Sequence, residues 1–503
     1  MIKRDIVIAV SLANLMFSDV WFEFLAPVRE LNNTFRTLPG PQDFAAVMIN
    51  VALLSAAFLG ATMAVRKSGS TVLKGIFRWV FLLSLLLPMD QISTRYWNKP
   101  LQMRVSRLWN LHIFLFIPSA VILLWLLFYF NKSVTNAAKT LLVVLFSIVP
   151  FTIGQAAWGM ITLDQKQLVS VSAASSVPAS SPPHRVIWLI FDGMDGGDAV
   201  FGNLAANRLP NLDGFKRQAI YAPDAFPPGH ETRISMPSYI LGETVSTLLR
   251  SEPKRLLIFF EGKRGSYSWT DQPTIFSKAR DRGVETGLLG WHIPYCTVMG
   301  QSLDSCFTQI FDTAIPDGDP GIMERALKQA RRRLPFHLEQ EHIERSRTGL
   351  RKAIEIGTDP RFGLALIHWS VPHFPPIYDR TTHRYTVLKS ANAPDAYLNN
   401  VTLADDVFGE FKSAVDRAGL WENSTIILTA DHPAALPPRP NFASLPVPFF
   451  VKTPGQHQGE TLGFPVQTIA IHELTLAILG GDVQTPAQVV EWLTRHNPKA
   501  SRP

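Results

Sequence analysis

Two short stretches put acidic residues where a buried chain has no use for them. "IFDGMD" (190–195) ends an apolar run on Asp192, and "TADHP" (429–433) ends another on Asp431, followed by His432. A core gains nothing from carboxylates at strand ends. Two carboxylates and an imidazole are, however, a donor set for zinc or manganese. A nucleophile for such a site is offered by "HETRISMPSYILG" (230–242), where Thr232 and Ser235 stand at an expected loop-to-helix junction. There the helix dipole and free backbone N–H groups favour an anion, and a coordinated hydroxyl becomes a usable nucleophile. A plain helix cap would place the same residue type at Thr232, so this stretch alone leaves both roles open.

The elements that must position these residues are legible as apolar runs. Strands are expected at 185–191, 286–291, 362–370, 424–430 and 447–452. Apolar runs without alternation suit strands covered on both faces. Helices are expected between them, at 398–418 and 466–479, the first carrying Val401, Ala404, Val407, Phe408, Phe411 and Val415 at helical spacing. Alternating strands and helices imply an α/β sandwich with a mostly parallel sheet. Sites in such sheets gather at the carboxyl ends of strands, and Asp192, His368, His373, Asp431 and His432 all fall there.

The first third of the 503 residues is of a different kind. Apolar runs at 6–25, 44–65, 73–89, 111–130 and 140–160 each approach the roughly 20 residues a bilayer crossing needs. About five transmembrane helices are therefore expected over 1–161, with the N-terminus inside on the balance of Lys and Arg in the loops. Asp19 and Glu23 lie one helical turn apart near the outer end of the first run. A Ser-, Ala- and Pro-rich stretch, "LVSVSAASSVPASSPPHR", marks a linker, assigned to 162–184. Residues 185–503 then form an extracytoplasmic domain. Cys296 and Cys306 are the sole cysteines, ten positions apart. A disulfide suits an oxidising compartment, and two buried thiols are the other reading. The net charge is +7. The basic residues scatter, and the clusters "KRGS" and "QARRRLP" read as solvated surface, so no nucleic-acid partner is expected.

The order of the motifs resembles the alkaline phosphatase superfamily over roughly residues 184–482: an acid after the first strand, T-x-x-S-x-P, "VPHFPP", "DH" after a late strand, then "VPFFVKTPGQ". Within it the chain resembles sulfatase-like, membrane-anchored phosphotransferases, which include lipid A phosphoethanolamine transferases and lipoteichoic acid synthases. The resemblance implies Thr232 as a nucleophile that also touches the metal, Asp192, Asp431 and His432 as metal ligands, and His373 as a contact to substrate or to a second metal. His368 is expected to pack at its strand end. Three features depart from the family pattern. No C-x-P-x-R or S-x-P-x-R string is present, which argues against sulfate ester hydrolysis through formylglycine. Pro433 follows His432, with no histidine until His457, which favours one divalent metal over two. Asp192 stands where relatives often carry Glu, a shorter arm that Gly193 can offset by bringing the backbone closer.

The resemblance implies transfer of a phosphoryl-linked head group, of phosphoethanolamine or phosphoglycerol type, from a membrane phospholipid to an envelope glycan or lipid. The expected place is a bacterial cell membrane, with the catalytic domain outside the cytoplasm. A hydrolase using the same residues, and a catalytically impaired scaffold of envelope assembly, are the alternatives.

Overall fold

A computed structural model describes residues 2–25, 35, 39–97, 128–162, 184–196, 209–252, 255–310, 321–334, 336–387, 393–434 and 445–497. The chain divides into two compact units. One comprises Met1–Pro27, Thr37–Gln167 and Thr313–His337, and the other comprises Val28–Arg36, Leu168–Asp312 and Leu338–Pro503.

The first unit is helical: α1 (Ile2–Met16), α2 (Ser18–Leu25), α3 (Pro41–Lys67), α4 (Thr71–Ser84), α5 (Leu86–Trp97), α6 (Asn131–Leu145) and α7 (Ile148–Thr162). The start of α3 is set by Pro41 and by Asp43, whose Oδ2 accepts the Gly40 N–H at 2.8 Å, and Arg66 and Lys67 close its last turn. At 27 residues it reaches about 40 Å. Among the described residues, Pro41–Lys67 and Thr71–Ile92 are long and apolar enough to cross a membrane. The expected crossings at 6–25 and 140–160 are broken. α1 and α2 meet at 62°, and α6 and α7 at 43°, so up to four spans result if each bent pair counts as one. Most of the 111–130 run, and the linker from 163 to 183, lie outside the described residues.

A helix at Ile322–Arg331 also packs in this unit, against α3. It corrects the reading of "QARRRLP" as solvated surface. Arg332 and Arg333 are largely buried, with side chains 9% and 11% exposed, and both pair with Asp19; Arg332 also lies 3.7 Å from Glu23.

The second unit is built on eight strands: β1 (Val186–Asp192), β2 (Ile220–Tyr221), β3 (Glu285–Trp291), β4 (Ser305–Gln309), β5 (Phe362–Pro372), β6 (Thr425–Ala430), β7 (Phe449–Lys452) and β8 (Glu460–Thr461). Their order is β8-β2-β7-β6-β1-β5-β3-β4. β7 runs against its neighbours and the other pairings are parallel. The result is an α/β unit with a mixed and mostly parallel sheet. β1 explains why alternation was missing from the sequence. Val186, Trp188 and Ile190 enter one core, while Ile187, Leu189 and Phe191 enter the other, so both faces are apolar. The first core is covered by α8 (Thr232–Leu241) and α9 (Ile471–Leu479), and the second by α10 (His337–Gly357) and α11 (Ala393–Arg417). Trp188 fixes the first layer by donating its indole N–H to Thr475 Oγ1 at 2.6 Å.

Candidate metal centre

β1, β3, β5 and β6 are parallel neighbours, so their carboxyl ends share one edge. At that edge β1 and β5 lose register between Phe191 and Asp192, an irregularity of the kind that re-aims side chains beside sites. Asp192 ends β1, and Asp431 and His432 follow β6. Their ligand atoms lie within 4.8 Å of one another, and all three residues are buried. Gly193 makes the turn at φ 71°, a left-handed backbone that a side chain disfavours, and a Cβ there would reach ordinary contact with the His432 ring at 3.4 Å.

Thr232 sits inside this cluster. Its Oγ1 lies 2.6 Å from Asp431 Oδ2, 3.5 Å from Asp192 Oδ1 and 3.4 Å from His432 Nε2. The helix-cap alternative does not hold: Glu231 is the N-cap of α8, and the Thr232 hydroxyl is directed to Asp431. Ser235, one turn deeper, is buried with no hydrogen-bond partner for its hydroxyl. α8 continues through Pro237 to Tyr239, where a sulfatase S-x-P-x-R string would carry Arg, and the Tyr239 hydroxyl is used within the core, on Ala430 O and Thr468 Oγ1.

Hydrogen bonds orient each donor. Asp431 Oδ1 accepts the Gly193 N–H at 3.0 Å and the His432 N–H at 2.8 Å, which leaves Oδ2 toward Thr232. His432 Nδ1 lies 2.7 Å from the Pro433 carbonyl, so Nδ1–H donates there and Nε2 faces the carboxylates. Asp192 Oδ2 accepts the Trp291 indole N–H, and Oδ1 lies 3.3 Å from His432 Nε2. Burial alone would raise the Asp192 carboxyl. The charge of His373 and the charge and hydrogen bond of His432 instead hold it well below the usual carboxylate range. Burial alone would lower His432, yet the Asp431 and Asp192 carboxylates push it up to about 10. Three negative or hydroxyl donors thus converge with enough field to hold an imidazolium, and a divalent cation satisfies the same field.

The donors fit such an ion: two carboxylates, an imidazole nitrogen and a hydroxyl, all buried. A further nitrogen points the same way. His368, on β5, is fully buried; its Nε2 has no hydrogen-bond partner and lies 3.7 Å from Asp431 Oδ2. A cation beside Asp431 would satisfy it. His368 does sit in the strand as expected, and it also borders the cluster.

His373 does not join the ligand group. It is half-buried, with Nδ1 2.7 Å from the Phe374 carbonyl, and it acts on Asp192 through its charge. Its carbonyl is held by Asn400 Nδ2 at 3.0 Å and His342 Nε2 at 3.1 Å. Arg345 Nη1 donates to His342 Nδ1 at 3.3 Å and its guanidinium lies 4.6 Å from the Trp291 ring. Sequence reasoning missed Trp291, His342 and Arg345. Trp291 had a signal, as the last residue of an expected strand; the two helical residues had none. His292, next to Trp291, takes φ 70°, a strained backbone of the kind found at functional sites. Cys296 and Cys306 are joined as a disulfide with Cα atoms 5.6 Å apart.

Among solved structures, Ps i-CgsB in complex with k-i-k-neocarrahexaose aligns over 62% of this chain and 74% of its own, at 16% identity and TM-score 0.42. An alkaline phosphatase superfamily protein from Vibrio parahaemolyticus aligns over 68% and 76%, at 15% identity and TM-score 0.39. The phosphonate monoester hydrolase SpPMH from Silicibacter pomeroyi aligns over 63% and 78%, at 15% identity and TM-score 0.39. No curated protein sequence matches the chain. The sulfatase family profile matches residues 184–471, more than half of the chain and every residue of the centre described above. The chain is therefore a member of the sulfatase family, an enzyme of the alkaline phosphatase superfamily.

Proposed function

We propose that the chain is a membrane-anchored phosphotransferase that moves a phosphoryl-linked head group from a phospholipid to an envelope glycan or lipid. The observation that carries this reading is the Thr232 hydroxyl, buried at 2.6 Å from Asp431 Oδ2 and within 3.5 Å of Asp192 and His432. Asp192, Thr232, Asp431 and His432 would hold one divalent cation, zinc or manganese. Bound there, it supplies positive charge that lowers the pKa of the hydroxyl and offsets charge on the phosphoryl oxygens.

The chain's own residues then perform a double displacement. Thr232 Oγ bonds to the phosphorus of the donor diester as its proton passes to Asp431 Oδ2. The bond from phosphorus to the diacylglycerol oxygen breaks, and that oxygen takes the proton from Asp431. An acceptor hydroxyl next bonds to phosphorus as its proton passes to Asp431, the bond to Thr232 breaks, and Thr232 Oγ takes that proton from Asp431. His373, half-buried and close enough to act on Asp192, is placed to meet the substrate. The missing S-x-P-x-R string weighs against the formylglycine route to sulfate esters. Water as acceptor gives the hydrolase reading, which family membership favours and which uses the same residues. The apolar spans of the first unit and the disulfide support a cell-membrane protein with its catalytic unit in an oxidising compartment outside the cytoplasm.

Mass spectrometry of the enzyme quenched during turnover on phospholipid vesicles tests the reading. An adduct on the peptide containing Thr232, with diacylglycerol and a modified acceptor as products, is expected. Diacylglycerol with free head group and no modified acceptor would establish the hydrolase instead. An unmodified Thr232 with turnover intact would refute both.

A further inference from the structure

The Ile322–Arg331 helix turns two of its polar residues, Arg325 and Gln329, inward and leaves Glu324 and Arg331 exposed. Arg325 Nη1 pairs with Asp43 Oδ1 at 2.7 Å, with side chains 9% and 1% exposed. Gln329 Nε2 donates to the Asp43 carbonyl at 3.0 Å, and Asn50 Nδ2 donates to the Ala326 carbonyl at 2.9 Å. Its apolar side is turned outward: Met323 is 66% exposed and Leu327 49%, followed by Leu334 at 54%. At about 100° per residue, Met323, Leu327 and Ala330 fall within roughly 60° of one another, while Arg325 and Gln329 lie on the opposite half. A charge paired inside, and an apolar stripe outside bordered by the exposed Glu324 and Arg331, suits the boundary between lipid headgroups and hydrocarbon. α3, against which it packs, exposes Leu53 at 61% and is itself a candidate span.

We infer that the Ile322–Arg331 helix is an interfacial membrane helix, with its Met323–Leu327 stripe and Leu334 seated among phospholipid acyl chains. Asp43 to Asn50, which it contacts, spans about 10 Å along α3 from its first turn, the depth of the headgroup–acyl boundary. This rests on the reading that α3 crosses the membrane. The segment lies within the sulfatase match, so the enzyme's own sequence, and not just its N-terminal helices, would touch the leaflet that holds the donor lipid.

The test uses the full chain in phosphatidylethanolamine–phosphatidylglycerol vesicles with brominated acyl chains. Variants L327C, M323C, L53C and S413C each carry an environment-sensitive thiol probe; the native cysteines are oxidised and do not label. Bromolipid is expected to quench the probes at 323, 327 and 53 alike and to leave the exposed site at 413 on α11 bright. Quenching at 53 with none at 323 or 327 overturns this inference alone. No quenching at any position overturns the membrane reading beneath it. Either stripe variant suffices if the other does not fold.

Discussion

The raised affinity of His432 for a proton sets a measurable cost on metal binding. With no cation bound, the Asp431 and Asp192 carboxylates hold His432 as an imidazolium up to about pH 10. A cation needs the neutral Nε2 lone pair, so binding below that pH must expel about one proton. At pH 7.5 expelling that proton weakens apparent affinity by roughly 3 kcal/mol, on the order of 100-fold or more. The logarithm of the association constant should therefore rise with slope near one from about pH 6.5 to 9. Titration of the chelated protein with zinc or manganese in weakly buffered indicator dye reads the released proton directly. Asp192 is held ionised and contributes none. Thr232→Ala should still release the proton, and His432→Gln should not. A flat pH dependence with no proton released would refute the charge balance derived for the cluster. The same shift acts on stability. A pKa raised in the folded state stabilises fully below the unfolded value near 6.5 and is lost as pH climbs toward about 10. The chelated protein should therefore melt at progressively lower temperature over that window, and the metal-loaded protein should not.

Three further outcomes follow from contacts. Thr232→Ala should lower kcat on a phosphodiester substrate, measured at saturating metal, on the order of 10³-fold or more, with a smaller loss of metal affinity because Asp192, Asp431 and His432 remain. Trp291→Phe keeps the ring but removes the N–H that orients Asp192, and should weaken metal affinity by about 10- to 100-fold in a chelator competition. Arg325→Met leaves Asp43 buried and unpaired, and should cost about 3–5 kcal/mol in unfolding of the full chain in detergent, with most of it recovered by adding Asp43→Leu.

The catalytic unit was legible because its signals are local. Five strands appear where continuous apolar runs placed them, and acidic residues at the ends of two of them stand out against any packing role. Thr232 was ambiguous for a physical reason: a helix cap and a nucleophile demand the same residue at the same junction, and only its contact with Asp431, 199 residues away, argues against the cap. Trp291, His342 and Arg345 act by holding other residues, and such contacts leave no local trace. The short strands β2 and β8, two residues each, fall below any periodic signal.

The helical unit was harder to read, and the reason lies in its polar residues. Hydropathy averages over Asp19, Glu23, Asp43 and Asn50 and returns straight spans. In the fold, each of these finds its partner about 280 to 310 positions later, in a segment whose arginines look like solvent-facing charge by sequence. A buried carboxylate in an apolar helix is costly unless paired. The acidic residues of the first third therefore implied a cationic partner somewhere in the chain. Two of them, Asp19 and Glu23, lie on α2 just past the bend between α1 and α2, and the arginines they bind, Arg332 and Arg333, come just after a helix with an apolar stripe outward. A basic segment within the sulfatase match thus neutralises acids beside the break in the first apolar run, a pairing across most of the chain that hydropathy does not register.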